Sequence, residues 1–423
     1  MPGADGGSKI SRGILNIVAA SLVALALGAA AHADETIKIG YAEQLSGPGA
    51  EVGQQQFQQL QYIVESINAQ GGALGKKFEL VAYDDKMQTS EALIALKSIT
   101  DQNIRFIVNY GPSSVAAALI DAIEKHNARN PDNPIVFLNT GAVATELTNE
   151  KCSFWHFRFD ANAEQKALML VGAIPAETKK VYLLNQDYLF GQSLKRDTER
   201  FLVQFRPDIA IAGNELIPLQ KIKDFSPYIS KIKASGAEAV ITGNWGPDMS
   251  LLIKAGTDAG LSVPYYTLYA HIGGGPTAIG PAGEGRVVTL EEFNDNAAQE
   301  FGDRAVKQWV SQFRASHDFD LYRGGGTRDM LEFLKAAIER VGSVDGQKVA
   351  ASLEGMTAKD ALGHEVTMRA DDHQLLSPYY VTMFSKDVKY DAQKTGLGWK
   401  LVKTYEGKDL ALPTTCKMKR PGV

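Results

Sequence analysis

From Ile37 onward, short runs rich in β-branched and aromatic residues alternate with stretches whose apolar residues recur every three or four positions. Ile37 and Ile39 alternate with polar neighbours as a first strand, which ends at the turn Leu45-Ser46-Gly47-Pro48. Phe57, Leu60, Val64 and Ile67 then repeat at helical spacing, and Gly71-Gly72 stop that helix. The pattern predicts strands over 78–83, 106–109 and 135–139, a helix through Leu93, Leu96 and Ile99, and another over 115–126. After Phe159 the rhythm begins again, with strands over 181–185, 239–243 and 264–268 and helices over 192–205 and 248–259. Strands alternating with helices of this length form parallel, doubly wound sheets. The expected fold class is therefore α/β, with two similar lobes joined by short crossings. Near Thr289 a further helical stretch begins, including 330–341 with Leu331, Leu334 and Ile338 inward, and the chain closes with strands over 379–384 and 399–402.

A chain of 423 residues exceeds one ordinary domain. Residues 1–33 read as a removable export signal rather than a membrane anchor. Lys9 and Arg12 form a basic start, 14–31 is an apolar run interrupted by Asn16 and Ser21, and Ala31-His32-Ala33 is the small-x-small pattern of a cleavage site. No later segment is long and apolar enough to span a bilayer, so a periplasmic protein without direct membrane insertion is expected. The net charge of −5 provides no electrostatic reason to expect a nucleic acid as partner. Export places Cys152 and Cys416 in an oxidising compartment, where a structural disulfide is expected over two buried free thiols.

Catalytic and metal chemistry find little support. The cysteines lack CxxC or Cys/His spacing, which argues against zinc. Asp371-Asp372-His373 reads as a surface turn rather than a metal site. Gly273-Gly274-Gly275 and Gly324-Gly325-Gly326 lack the context of a phosphate-cradling loop, and no GxSxG or HExxH motif occurs. No cofactor, catalytic residue or metal ligand is expected.

Binding chemistry is better placed. Ligands of open α/β sheets sit beyond the carboxyl ends of strands, here at the turns 111–114 and 139–143. Ser113 and Ser114 open a helix whose unpaired N–H groups and dipole favour an anion. The same residues also read as plain helix caps, and the two roles use the same donors. Trp245, in the loop Gly243-Asn244-Trp245-Gly246-Pro247, has little core to join. For Tyr188 and Phe190, core packing and a pocket role both stay open.

Ile37-Lys38-Ile39-Gly40 with Leu45-Ser46-Gly47-Pro48 and Gly53, Ile67-Asn68-Ala69-Gln70-Gly71-Gly72, Gly111-Pro112-Ser113-Ser114, 141–148, Asp187-Tyr188-Leu189-Phe190-Gly191 and 243–248 follow one another in a familiar order. In that order and spacing the chain resembles the type I periplasmic binding proteins of the branched-chain amino acid and amide transport family. The resemblance implies three crossings between lobes, with one lobe over 34–160 plus 292–378 and the other over 161–291 plus 379–423. It implies that Ser113 and the backbone of Gly141, Ala142 and Val143 grip a ligand carboxylate while second-lobe aromatics matching Trp245 and Phe190 close over it. Val143 stands where amino-acid binders usually place a threonine, and Tyr269 where they place the glutamate that neutralises an ammonium. The resemblance implies a branched-chain or related amino acid as ligand; because a buried ammonium needs a partner charge, these two differences raise an aromatic or other ammonium-free acid as the alternative. Asp187 or Glu43 offers a substitute acid.

The function these readings support is a monomeric solute receptor that closes on a small carboxylate and docks on the permease of an ABC importer. A soluble sensor or co-receptor is the alternative of a different class, because the same fold serves both. An enzyme using the cleft would need paired carboxylates of shifted acidity, and no convincing pair occurs.

Overall fold

The structure, a computed structural model, describes residues 36–422; the expected export signal lies outside them. The first sheet is built from β1 (Ile37–Glu43), β2 (Phe78–Asp84), β3 (Phe106–Asn109), β4 (Val136–Asn139) and β5 (His156–Arg158). Helices α1 (Ala50–Ala69), α2 (Thr89–Asp101) and α3 (Ser113–Arg129) connect its first four strands. Its order is β2-β1-β3-β4-β5, parallel throughout. Helices cover such a sheet on both faces, which is why β3 and β4 are buried along their whole length.

The chain then passes through α4 (Ala163–Ala173) into a second sheet. Its parallel strands are β6 (Lys180–Gln186), β7 (Ala210–Ile217), β8 (Ala239–Thr242), β9 (Tyr265–Thr267) and β10 (Val287–Glu291). Between them lie α5 (Leu189–Phe205), α6 (Ser226–Ser235), α7 (Pro247–Asp258) and α8 (Gly275–Ile279). After β10 come α9 (Asp295–Phe301), α10 (Arg304–Ser316), α11 (Gly326–Val341) and α12 (Gly346–Leu353). A small antiparallel sheet follows, made of β11 (Thr357–Lys359), β12 (Glu365–Met368) and β13 (Leu375–Leu376). The chain finally returns to the second sheet as β14 (Tyr379–Ser385) and β15 (Gly398–Tyr405), antiparallel to β10 and to each other. The seven-stranded order is β15-β14-β10-β9-β8-β6-β7.

The α/β class and the doubly wound pattern hold, and the differences from expectation have physical causes. Helix α1 starts at Ala50, well before Phe57, because its buried face there carries Val52, Gln56 and Gln59 instead of an apolar stripe. Strand β7 went unread because it is the edge of its sheet and mostly half-exposed, so it shows no apolar run. Asp371-Asp372-His373 is not a surface turn: Asp372 and His373 are buried. His373 stacks on Phe157 with ring centroids 4.0 Å apart, and Arg158 donates its backbone N–H to the His373 carbonyl at 2.9 Å. Cys152 and Cys416 form the expected disulfide, which ties the C-terminal tail to the segment following β4. Asn149 Oδ1 accepts the Thr415 amide at 2.7 Å beside it.

The backbone passes between the two sheets after β5, after β10 and before β14, and a buried carboxylate or phenol tied to a buried cation stands at each passage. Asp160 follows β5, Glu292 follows β10, and Tyr379 opens β14. Lys166 Nζ lies 2.9 Å from Asp160 Oδ1 and donates to the Tyr379 hydroxyl at 2.7 Å, which in turn donates to Asp160 Oδ1 at 2.8 Å. Arg323 Nη1 sits 3.0 Å from Glu292 Oε1 and donates to the Thr140 carbonyl at 2.9 Å. Removing one member of a buried pair leaves an uncompensated charge and typically costs about 3–5 kcal/mol.

The glycine run at 324–326 belongs to this junction and not to a phosphate loop. A Cβ at Gly326 would fall on the Phe159 carbonyl oxygen and within 2.7 Å of Glu292 Oε2, and one at Gly325 would strike the Glu292 carbonyl. Only a bare backbone lets α11 begin this close to two passages. Gly326→Ala should therefore lower stability by about 1–3 kcal/mol, the usual range for forced overpacking, read as the midpoint of urea unfolding. An unchanged midpoint would show that the junction has room.

Candidate functional site

A cleft opens where the carboxyl ends of β1, β3 and β4 face those of β6, β8 and β9, the place such sheets hold ligands. One wall carries Gln44, Val52 and Gln56 from the end of β1 and start of α1, Tyr110 to Ser113 from the turn after β3, and Gly141 and Val143 from the turn after β4. The other carries Tyr188, Phe190, Trp245, Tyr269 and Ile272, and Arg323 completes the lining. The space is narrow, with about 30 Å³ open to the centres of water-sized atoms. A molecule of several heavy atoms thus needs the walls to part or side chains to turn.

Two buried asparagines shape the first wall. Asn109 Oδ1, at the end of β3, accepts the Gly111 amide at 3.0 Å. Asn139 Oδ1, at the end of β4, accepts the amides of Gly141 at 3.1 Å and Ala142 at 2.8 Å, while its Nδ2 donates to the Ala142 carbonyl at 2.8 Å. Ser113 does not cap its own helix; its Oγ accepts the Ala144 amide at 3.1 Å and so locks the two turns together. The amides of Gly111, Gly141 and Ala142 are therefore engaged within the protein. The amides that open α3, at Ser113 and Ser114, have no acceptor within the helix.

The second wall is aromatic. Trp245 Nε1 donates to the Tyr188 hydroxyl at 2.9 Å. Phe190 stands edge-on to both Tyr188 and Tyr269, with centroids 5.8 and 5.9 Å away. Gly246, at φ 58°, turns the chain after Trp245, and Gln186 Nε2 holds the Trp245 carbonyl at 3.2 Å. Lys166 lies 5.0 Å from the Tyr269 ring centroid, behind the wall. Burial holds the phenols of Tyr188 and Tyr269 well above their ordinary range, and Tyr110 is pushed up to about 12. All three remain hydroxyl donors at neutral pH.

Of the residues singled out in the sequence, Ser113, Gly141, Val143, Tyr188, Phe190, Trp245 and Tyr269 meet at this cleft. Ala142 is buried beside it without lining it, and Ser114 is exposed. Asp187 is also exposed, with its Oδ1 accepting from Gln192 Nε2 at 2.9 Å. Glu43 lies fully buried outside the lining, where its Oε2 accepts the Tyr110 amide at 2.8 Å. No carboxylate lines the cleft among the described residues.

Arg323, Tyr110, Gln44 and Gln56 were not singled out in the sequence. Arg323 sits between Tyr322 and the glycine run, and no periodicity marks it; only the fold buries it against Glu292. Burial disfavours its charge, yet Glu292 and Asp160 outweigh that and hold the guanidinium cationic. Burial pushes Glu292 up to about 7 against the opposing pull of Arg323. Burial also pulls His271 well below the ordinary histidine range, with Arg323 and Lys166 adding to the effect, so it is neutral.

This arrangement, two α/β sheets facing each other across a lined cleft with three passages between them, defines a solute-binding protein. The family model for periplasmic binding proteins matches residues 36–389, and the chain belongs to that family, whose members bind solutes and are not enzymes. It is 32% identical over 418 residues to Leu/Ile/Val-binding protein homolog 4 of Brucella abortus, covering 96% of this chain and 98% of that one. The closed leucine-, isoleucine-, valine-, threonine- and alanine-binding protein of Brucella ovis superposes with a TM-score of 0.81 at 30% identity, covering 92% of this chain and all of that one. A solute-binding protein of Rhodopseudomonas palustris, solved with p-hydroxybenzoic acid, shares the fold with a TM-score of 0.73 at 19% identity over 88% of this chain and 98% of its own.

Burial, with Asp85 adding to it, pushes Glu43 up to about 8 from an ordinary 4.5. The folded protein thus keeps a proton that the unfolded chain gives up, so this site's contribution is full below the ordinary value and is lost as pH rises through 8. Glu43→Gln should flatten the fall in melting temperature between about pH 5 and pH 8, where one such group changes stability by up to about 1.4 kcal/mol per pH unit. Parallel melting curves for both proteins would show that Glu43 is ionised throughout.

Proposed function

We propose that this chain is the extracytoplasmic receptor of an ABC importer and that it binds a small carboxylate with a flat apolar body and no ammonium group. The observation that carries the ligand class is the lining itself: an aromatic wall, hydroxyl and amide donors and one guanidinium, with no acid to neutralise an ammonium. Burying an ammonium there without a counter-charge is costly. A flat ring matches Trp245, Phe190 and Tyr269, and the R. palustris neighbour solved with p-hydroxybenzoic acid is consistent with such a body. A second reading, a branched-chain amino acid, is favoured by the names of the Brucella relatives.

In either reading the lobes, 34–160 plus 292–378 and 161–291 plus 379–423, swing about the three passages, and a ligand that touches both walls favours the closed form. The permease then recognises the closed receptor. Residues 1–33 direct export to the periplasm, and the receptor works as a monomer.

Bound ligand stabilises by RT ln(1 + [L]/Kd), about 2.7 kcal/mol at one hundred times Kd. Thermal melts with p-hydroxybenzoate and with L-leucine separate the two readings. The aromatic acid should raise the melting temperature more than leucine does, and Trp245→Ala should abolish most of that rise. A larger response to leucine would replace the first reading with the second, and an undiminished response in the variant would place the ligand away from Trp245.

A further inference from the structure

We infer that Arg323 is the residue that receives the ligand's carboxylate and that Glu292 sets how strongly it does so. The inference rests on the reading of the cleft as a carboxylate site. A guanidinium carries five N–H donors in a planar fork. Both side-chain hydrogen bonds of Arg323 leave from Nη1, one to Glu292 and one to the Thr140 carbonyl. Its Nε is buried with no partner, although Arg323 is only 5% exposed and lines the cleft. An unmade hydrogen bond at a buried donor is costly, more so when the group is charged.

The guanidinium lies over the Tyr110 ring, 4.9 Å from its centroid, so the ring supports one face and the fork's free edge remains for an acceptor. A carboxylate is the acceptor whose two oxygens match that edge. The backbone grip expected from the resemblance is weakened here, because Asn139 already holds the amides of Gly141 and Ala142. Ser113 Oγ accepts the Ala144 amide, which fixes the hydroxyl in place and leaves its O–H to support a carboxylate held by Arg323. Lys166 is taken up by Asp160, and Glu292 meets Arg323 through Oε1 while its Oε2 has no hydrogen-bond partner. Glu292 thus competes with an incoming anion for the guanidinium.

The test compares p-hydroxybenzoate with p-hydroxybenzamide by titration calorimetry. The wild type should favour the acid by about tenfold or more, the usual scale for a charge-assisted pair against a neutral one. Glu292→Gln should widen that preference. The double variant Arg323→Gln/Glu292→Gln, which keeps the junction free of an unpaired charge, should bind acid and amide alike. Arg323→Lys keeps the charge but loses the fork, and should weaken acid binding while sparing the amide; it serves if the double variant does not melt cooperatively. Retained acid preference in the double variant, or unchanged acid affinity in Arg323→Lys, would overturn the role of Arg323 while leaving the carboxylate reading intact. If L-leucine is the ligand that binds, L-leucine and L-leucinamide replace the aromatic pair with the same expectations. A wild type that binds neither acid would overturn the carboxylate reading itself.

Discussion

The protein depends on polar and charged groups buried where its backbone passes between two sheets. Asp160, Glu292 and Tyr379 mark the three passages, and each is tied by a cation brought from elsewhere: Lys166 to the first and third, Arg323 to the second. Such pairs gain little net stability over apolar packing, yet losing one member is expensive. Their physical role here is placement. They hold three strands in one arrangement and leave α11 to start on a glycine run thin enough to pass beneath Phe159 and Glu292.

The same junction supplies the cleft with its charge. Arg323 reaches from the Glu292 passage to the Thr140 carbonyl at the end of β4, so one residue touches both the passage and the ligand wall. The remainder of the cleft is prepared by neutral groups. Asn109 and Asn139 shape the two turns of the first wall, and the Trp245–Tyr188 hydrogen bond orients the second. The fold itself is shared both with relatives bearing amino-acid names and with a neighbour solved with p-hydroxybenzoic acid, and a shared fold does not fix the ligand.

Much of the frame was legible in the sequence because doubly wound sheets write themselves as periodicity. Strand β3 was read residue for residue, and Ser113, Val143, Trp245 and Tyr269, on turns after parallel strands, do converge on the cleft. Arg323 and Glu292 were illegible for a definite reason. Their meaning comes from partners hundreds of positions away or across a passage, and a lone arginine before a glycine run carries no pattern. The start of α1 was hidden in the same way, since Val52, Gln56 and Gln59 are buried toward the junction and cleft. Edge strand β7 was missed because exposure erases the apolar signal that marks inner strands.

A crystal structure grown with p-hydroxybenzoate addresses the account most directly. The expected density places the carboxylate within hydrogen-bond reach of Arg323, with the ring against Trp245 and Phe190 and the lobes closed around it. Density for the acid outside the cleft, or inside it with the carboxylate turned away from Arg323 toward the start of α3, contradicts the account.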